Sequence, residues 1–356
     1  MWLLMTIKTW ICALAALALF TAEPAVAACT NVGAGLGVSR VIEIDASSGP
    51  LFGDLTKQVK EESFLRPKEV VLTFDDGPMP WVTMAILDAL DRHCSKATFF
   101  SVGRMAIAYP RTIRDVLARG HTLGSHTWSH PLHLPRMRPE AAREEVERGF
   151  AAVALAANQP IAPFFRFPGL SDSRELLAHL QTRGVASFSV DVVSNDSFVG
   201  DTGRLIDRTL RQVEARQGGI ILFHDIKAVT ARALPTILSE LKSRGYKVVH
   251  LKSKHPFVPD ESYRKGLEPL LAKANGGKTL VPFFAAMPVA AEPAGGEFQV
   301  TELAPEPKSY VAAGGDAKPA EPRPRKPRQR SEKPPPAATS GWATTVRRPH
   351  RTSVFE

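Results

Sequence analysis

Two short segments of the chain carry residue types that can hold and use a metal ion. Residues 73–78 read Thr-Phe-Asp-Asp-Gly-Pro, which makes Asp75 and Asp76 adjacent, and a later His-Thr-Trp-Ser-His places His126 four residues before His130. That spacing matches one helical turn and predicts that both rings point the same way. One carboxylate and two imidazoles leave metal positions open, as catalytic sites do. With the second carboxylate free to act as a base, these segments predict a metal-assisted hydrolase.

The elements that must position these residues alternate between about residue 67 and residue 255. The predicted strands are the apolar runs Val70–Phe74, Thr98–Val102, Thr122–Ser125, Phe164–Phe167, Val185–Val190, Ile220–Phe223 and Tyr246–Val249. The predicted helices are Trp81–His93, Tyr109–Arg119, Pro139–Ala157, Ser173–Arg183, Thr202–Arg216 and Val229–Arg244. This alternation predicts a parallel sheet with helices outside. About seven such units predict an α/β fold, a distorted (β/α)7 TIM-like barrel, rather than a small open sheet.

Polar residues collect where the predicted strands end. They are Asp75 and Asp76 after the first strand, His126 after the third, Arg166 at the end of the fourth, Asp191 at the end of the fifth, and His224 and Asp225 at the end of the sixth. Barrel enzymes build their active sites from the C-terminal ends of their strands. The placement therefore supports an active site independently of the histidine spacing.

Residues 67–253 resemble the polysaccharide deacetylases of carbohydrate esterase family 4, because several of that family's ordered motifs are present. Thr73-Phe-Asp-Asp-Gly-Pro78 is similar to the first motif, and the resemblance implies that Asp75 is the catalytic base and Asp76 a metal ligand. His126-Thr-Trp-Ser-His130 is similar to the second motif, whose two histidines bind the metal.

The later motifs extend the resemblance. Arg166-Phe-Pro168 is similar to the third motif, in which the arginine orients the catalytic aspartate. Leu222-Phe-His224 is similar to the fifth, whose histidine is the general acid. The third motif continues as Gly169-Leu170 instead of an aromatic residue and glycine, so an aromatic wall of the sugar site is absent. A backbone N–H at Gly169 can still stabilise an oxyanion.

The fourth motif leaves two alternatives open. The family has two closely spaced aspartates followed by tryptophan, whereas here Asp191 and Asp196 lie further apart and Ser197 stands at the tryptophan position. Strand geometry favours Asp191 as the partner of His224, and the second half of the motif favours Asp196. We therefore keep both aspartates as candidates for the catalytic set.

The resemblance implies a hydrolase that removes N-acetyl groups from a polysaccharide or oligosaccharide containing N-acetylglucosamine, of the peptidoglycan or chitooligosaccharide type, and releases acetate. The expected cofactor is a divalent metal, with Zn²⁺ favoured and Co²⁺ or another transition metal as alternatives. Two other functions are compatible with the motifs. One is an O-deacetylase of an acetylated exopolysaccharide or xylan, and the other is an inactive carbohydrate-binding homologue.

The N-terminus predicts export. Residues 1–28 contain an apolar run from Trp10 to Phe20 followed by Ala25-Val26-Ala27, the small-residue pattern of a signal-peptide cleavage site, so we expect a periplasmic, cell-envelope or secreted protein. An uncleaved membrane anchor and a lipid-modified Cys29 are the alternatives. Export leaves Cys29 and Cys94, which predicts a Cys29–Cys94 disulfide, with free thiols as the other outcome.

The remaining segments flank the catalytic domain predicted at 67–255. Residues 29–66 are expected to form an extension packed on the barrel, and residues 256–356 a low-complexity tail with one short helix at Tyr263–Ala274. The formal net charge is +9, and residues 318–351 are rich in Lys, Arg and Pro, which predicts disorder. Such a basic tail can contact anionic cell-envelope polymers or lipid headgroups. Nucleic acid is not expected as a partner of an exported protein.

Overall fold

The computed structural model describes residues 35–276, in which strands and helices alternate. The strands are β1 Val38–Ile44, β2 Leu51–Phe52, β3 Glu69–Asp75, β4 Thr98–Ser101, β5 Thr122–Ser125, β6 Phe164–Phe165, β7 Ala186–Phe188, β8 Val192–Val193, β9 Gly218–His224 and β10 Lys247–Ser253. The helices are α1 Pro80–Arg92, α2 Gly103–Ala108, α3 Pro110–Ala118, α4 Pro139–Ala157, α5 Arg174–Thr182, α6 Thr202–Arg216, α7 Ala228–Ser243 and α8 Glu261–Asn275. Two short 3-10 helices are Leu134–Arg136 and Pro168–Leu170.

All pairings between these ten strands are parallel, and β3 is the central strand. It pairs along its whole length with β9, while its other edge pairs with β10 at its start and with β4 at its end. From β4 the pairing continues in chain order through β5 and β6 to β7. The seven strands β3–β9 therefore form a ring that is closed between β9 and β3. Among the described strands the ring is interrupted between β7 and β8. The predicted distorted (β/α)7 architecture is confirmed.

Alternate side chains of β3 pack into two different hydrophobic clusters, one on each face of the strand. Val70, Leu72 and Phe74 are buried in a hydrophobic cluster that includes α1, α4 and α7. Val71 belongs to a second cluster made mainly of strand residues, which is the interior of the barrel. Successive residues of a strand point to opposite faces. Asp75 shares the inward face of Val71, so the β3 sequence delivers a carboxylate to the C-terminal mouth of the barrel.

The segment before β3 contributes two strands to the sheet, whereas the sequence predicted only an extension packed on the barrel. β1 pairs with β10, and β2 pairs with β7 at the interrupted edge of the ring. The exposed and half-buried residues of β1 alternate until the buried Ile44. A short strand with one partly buried face can extend a sheet by pairing with its edge strand. Residues 29–34 lie outside the described residues.

The C-terminal part of the described chain contains α8, which agrees with the short helix predicted at Tyr263–Ala274. Leu267 is buried against Ala151 and Ala152 of α4 and Ile107 of α2. Ordered structure thus continues past residue 255 to the end of the described residues, as the predicted short helix implied. Within residues 35–276, no helix combines the length and the apolar character needed to cross a bilayer. The signal segment, Cys29 and the basic tail lie outside the described residues, and the predictions made for them stay predictions.

Candidate active site

Asp75 and Asp76 lie at the end of β3, where the chain leaves the sheet. Asp75 is almost fully buried, and Asp76 has a left-handed backbone with φ 78°. Asp225 stabilises this loop. Its carboxylate accepts hydrogen bonds from Gly77 N at 3.0 Å and from Thr83 Oγ1 at 2.7 Å. A Cβ atom at Gly77 would fall 2.0 Å from Asp225 Oδ2, so only glycine fits. Asp225, which the sequence placed only at the end of the sixth predicted strand, therefore fixes the aspartate loop.

Arg166 is fully buried in the barrel interior and binds Asp75 directly. Its Nη1 donates to Asp75 Oδ1 at 2.8 Å and to Thr73 Oγ1 at 2.7 Å. Its Nε and Nη2 donate to the carbonyl oxygens of Phe188 at 3.0 Å and Ser189 at 3.3 Å. A buried guanidinium needs this complete set of acceptors, because an unpaired buried charge is strongly destabilising. The arrangement fixes one oxygen of Asp75 and leaves its Oδ2 facing His126.

The segment from His126 to His130 is a loop, and the predicted helical turn is wrong. Thr127 and His130 have left-handed backbones with φ 68° and φ 60°, which a helix does not allow. The loop leaves β5 at His126, whose N–H donates to Ser101 O at 2.9 Å. His130 N donates to Thr127 Oγ1 at 3.0 Å and closes a tight turn. The rings nevertheless converge, with centroids 4.9 Å apart.

Asp76, His126 and His130 form a group that could hold a metal ion. Each offers one ligand atom, and these atoms all lie within 4.8 Å of one another. Within residues 35–276, no other group of three or more His, Cys, Asp or Glu side chains meets this criterion. The Nε2 atoms of His126 and His130 lie 3.4 Å and 3.1 Å from Asp76 Oδ1. That oxygen is buried and meets no donor in hydrogen-bonding geometry. His126 Nδ1 lies 2.7 Å from the carbonyl oxygen of Arg166. The carbonyl can only accept, so Nδ1 carries the proton and Nε2 presents a lone pair.

The charges in this group also fit a cation. Burial would raise the pKa of Asp76, but the neighbouring His126 and the charge of His224 outweigh it and hold that pKa below its usual range. Burial lowers the pKa of His130, and His126 contributes in the same direction, so His130 is neutral near pH 7. An ionised carboxylate beside a neutral imidazole is the donor state that a divalent transition metal requires. The residues present therefore fit a metal ion.

On the other side of Asp76 lies His224, at the end of β9. Its Nδ1 is 2.7 Å from Asp196 Oδ1, and its backbone N–H donates to Asp196 Oδ2 at 2.7 Å. Its Nε2 faces Asp76 Oδ2 at 3.9 Å. Burial would lower the pKa of His224, but the Asp196 carboxylate and the charges of Asp76 and Asp75 raise it to about 9. The imidazole is therefore a cation at neutral pH, with its Nε2 hydrogen directed at the site.

The structure resolves the two aspartates of the fourth motif in favour of Asp196. Asp191 does not reach His224. Its carboxylate accepts from Asp54 N at 2.9 Å and from Ile220 N at 2.7 Å. It therefore joins the N-terminal segment to β9 across the interrupted edge of the ring. The sequence favoured Asp191 because it stands at the end of a predicted strand. Asp196 instead lies in the loop after β8, and the sequence did not show that this loop returns to the site.

Three contributions were not identified from the sequence. Thr73 accepts a hydrogen bond from Arg166, and its inward position follows from alternation along β3. Asp225 supports the aspartate loop. Glu145 on α4 accepts hydrogen bonds from Ser129 N at 2.8 Å and Ser129 Oγ at 2.7 Å. Sequence spacing gave no signal for Glu145, because the contact joins an irregular loop to a helix 16 positions later.

Comparison with known proteins identifies the family. The family model described as polysaccharide deacetylase matches residues 64–187. A chitooligosaccharide deacetylase of Bradyrhizobium sp. (strain ANU 289) is 31% identical over 202 residues, which cover 53% of this chain and 91% of that protein. A peptidoglycan-N-acetylglucosamine deacetylase of Listeria monocytogenes is 33% identical over 182 residues, which cover 51% of this chain but 38% of that protein.

A solved structure shows the same relationship. The peptidoglycan deacetylase of Bdellovibrio bacteriovorus superposes with a TM-score of 0.55 at 35% sequence identity, over 61% of this chain and 59% of that one. The chain thus spans well under half of the Listeria protein but nearly all of the Bradyrhizobium one. Motifs, barrel and relatives agree, and the chain belongs to the polysaccharide deacetylase family, the CE4 carbohydrate esterases.

Proposed function

We propose that this protein is a metal-dependent deacetylase that hydrolyses the N-acetyl groups of a polysaccharide or oligosaccharide containing N-acetylglucosamine. The observation that carries the proposal is the position of Asp75 Oδ2, which lies 3.8 Å from His126 Nε2, beside the Asp76, His126 and His130 group. A base, three metal ligands and an imidazolium acid thus surround one small space. That constellation suits attack of water on an acyl group followed by protonation of the leaving group.

Asp76, His126 and His130 would hold the metal, and Zn²⁺ is the proposed ion because one carboxylate and two imidazoles form a ligand set that Zn²⁺ accepts. When bound there, the ion would supply Lewis acidity, lowering the pKa of a nearby water and polarising the acetyl carbonyl. Metal analysis of protein purified without added metal tests the identity of the ion.

Asp75 is proposed as the general base. Arg166 fixes its Oδ1, so Oδ2 is the oxygen free to take a proton. As water attacks the acetyl carbon, a C–O bond forms and one water proton moves to Asp75. The carbonyl oxygen becomes an oxyanion, for which the backbone N–H of Gly169 is the proposed donor. One such donor can contribute about 3 kcal/mol to transition-state stabilisation.

His224 is proposed as the general acid. Asp196 holds its Nδ1 and stabilises the imidazolium, and Nε2 then gives its proton to the amine nitrogen as the C–N bond breaks. An amine is a poor leaving group unless it is protonated, which is why the mechanism needs this acid. The products are acetate and the free amino sugar, and proton transfer from Asp75 back to His224 through solvent restores both groups.

Acetate release tests the proposal. The purified protein is assayed on N-acetylglucosamine oligomers, peptidoglycan and acetylated xylan, each with and without a chelator. We expect acetate from the N-acetylated glycans and its loss on chelation. Release from acetylated xylan alone would favour the O-deacetylase. Absence of release from every substrate would favour an inactive homologue, against which the complete set of site residues argues.

We further propose that residues 1–28 direct export and that the basic segment 318–351 holds the enzyme near anionic envelope polymers or lipid headgroups. The support is the sequence pattern of both segments. Cell fractionation tests the compartment. Co-sedimentation with anionic and neutral vesicles, with and without residues 318–351, tests the tail, and equal binding of both forms would contradict its proposed role.

A further inference from the structure

We propose that Glu145 is a positioning residue that sets the separation of His126 and His130 and thereby the affinity of the site for its metal. The inference rests on the proposed function, because it assumes that the two histidines are ligands. Glu145 lies on α4, and its hydrogen bonds to the histidine loop are made to Trp128 and Ser129, the two residues between Thr127 and His130.

Glu145 holds the middle of the histidine loop through three hydrogen bonds. Its carboxylate accepts from Ser129 N at 2.8 Å and from Ser129 Oγ at 2.7 Å. Its backbone carbonyl accepts from Trp128 N at 2.8 Å. A single residue therefore fixes two consecutive residues of a five-residue segment whose ends are the proposed ligands.

The loop needs such support because its conformation is unfavourable by itself. Thr127 and His130 both occupy the left-handed region, with φ 68° and φ 60°. β-branched and bulky residues adopt that region only where the surroundings fix it, because it is unfavourable for them. A loop released from Glu145 would relax at these residues, and His130, which is about a third exposed, would move away from Asp76.

α4 is a rigid support for the loop. Its inner face is buried in the main core through Val146, Phe150 and Val153. Gly149, one turn after Glu145, lets the helix approach closely, because a Cβ there would fall 2.5 Å from Thr127 C. On the opposite side of the loop, α2 donates Gly103 N to Thr127 O at 2.9 Å and Arg104 N to Trp128 O at 3.0 Å. Residues of α2 and α4 therefore bind the backbone of Thr127, Trp128 and Ser129 by hydrogen bonds.

Two effects of Glu145 on the metal must be separated, namely its negative charge and its hydrogen bonds. Glu145→Gln removes the charge, but its amide oxygen can still accept from Ser129 N while its NH₂ donates to the Ser129 hydroxyl, which can rotate. Glu145→Ala removes the charge and both side-chain hydrogen bonds. Glu144→Ala, at the exposed neighbouring position on the same helix, is the matched control.

The experiment measures Zn²⁺ affinity by competition with a chromophoric chelator, and the thermal midpoint of the metal-free proteins. We expect Glu145→Ala to weaken Zn²⁺ binding about 10- to 100-fold, the usual effect of losing a partner that orients a metal ligand. Glu145→Gln and Glu144→Ala are expected to bind close to the wild type. If Glu145→Ala does not fold, Ser129→Ala, which loses one of the hydrogen bonds, is expected to show a smaller loss of affinity.

Each other result has a definite meaning. Equal weakening in Glu145→Gln and Glu145→Ala would overturn the proposal in favour of charge alone. Wild-type affinity in a folded Glu145→Ala, or in Ser129→Ala where Glu145→Ala cannot be used, would overturn it outright. A wild-type protein that binds no Zn²⁺ would instead refute the metal site of the proposed function, so the two failures are distinguishable.

Discussion

Asp196 binds His224 at two points, accepting from its ring Nδ1 and from its backbone N–H, each at 2.7 Å. Thr230 Oγ1 donates to the same carboxylate at 2.6 Å. Asp196 is almost fully buried. Its two hydrogen bonds to His224 fix the orientation of the ring, keep the proton on Nδ1 and point Nε2 at the site. The proposed general acid, His224, is therefore paired with Asp196, and this pairing distinguishes two aspartates that the sequence left equivalent.

The first prediction contrasts these aspartates. Asp196→Asn should lower kcat by about 100-fold or more, the contribution typical of general acid–base catalysis, while Zn²⁺ affinity stays unchanged. Asp191→Asn should retain far more activity. It should lose about 1–3 kcal/mol of unfolding free energy, because one of its two bound N–H groups then faces an NH₂ donor. Steady-state acetate release and urea denaturation of both variants decide this, and an equal loss of kcat in the two would contradict the assignment.

A second prediction separates the two adjacent carboxylates of the first motif. Asp75→Asn should abolish measurable turnover with Zn²⁺ still bound, since Asp75 is the proposed base and is not among the three converging residues that could hold the metal. Asp76→Asn should bind Zn²⁺ much more weakly. Metal content after gel filtration, measured beside acetate release, checks both. Loss of metal from Asp75→Asn and its retention in Asp76→Asn would reverse the roles.

The third prediction concerns Arg166, which is fully buried and binds the proposed base Asp75. Arg166→Met removes four hydrogen bonds and leaves the buried Asp75 carboxylate unpaired. Breaking one side of a buried ion pair costs about 3–5 kcal/mol of unfolding free energy. We expect that loss in urea denaturation of the metal-free protein. The double variant Arg166→Met, Asp75→Asn should recover part of it, and a single variant as stable as the wild type would contradict the pairing.

Stability should also depend on pH through two histidines far from the metal ligands. Burial, followed by the charges of Lys252 and Lys96, lowers the pKa of His250 to about 4. Burial, followed by Lys96 and His250, also lowers the pKa of His121 well below its ordinary value. Its Nδ1 accepts from Ala97 N at 3.1 Å. Both rings are neutral in the folded protein.

Below about pH 6.5, the unfolded chain binds protons at these histidines that the folded chain does not. The contribution of these histidines to the unfolding free energy is therefore complete above that pH. It is lost progressively as the pH is lowered toward their pKa values in the folded protein. His250→Gln should reduce the stability difference between pH 6.5 and pH 5 by about 2 kcal/mol. Urea denaturation of wild type and variant at both pH values tests this, and an unchanged difference would show that His250 does not contribute.

Two of the residues predicted at strand ends were placed correctly by sequence, because successive side chains of a strand alternate between its two faces. Asp75 and His224 follow from the inward faces of β3 and β9, and their backbones pair directly. Residues in loops were not placed, since loop conformation depends on contacts distant in sequence. The turn between His126 and His130 was predicted helical from spacing, but Glu145 and two helices hold it in left-handed conformations.

The same distinction explains the fourth motif and the N-terminal segment. Asp196 reaches His224 through a loop that follows the two-residue strand β8, which is too short to give a periodic signal. β1 and β2 were not expected in the sheet, because their partners β10 and β7 are 209 and 136 positions away in register. Local patterns predicted most of the elements and the family, whereas the pairing of distant segments needed the structure.

Restoring Zn²⁺ to protein stripped of metal, and following acetate release from an N-acetylglucosamine oligomer, tests both the metal site and the proposed base. We expect no release from the stripped protein, and recovery that reaches its maximum at one Zn²⁺ per chain. We also expect no recovery in Asp75→Asn at the same occupancy. Full activity in the stripped protein, or turnover near the wild-type rate in metal-loaded Asp75→Asn, would contradict a metal-dependent deacetylase with Asp75 as its base.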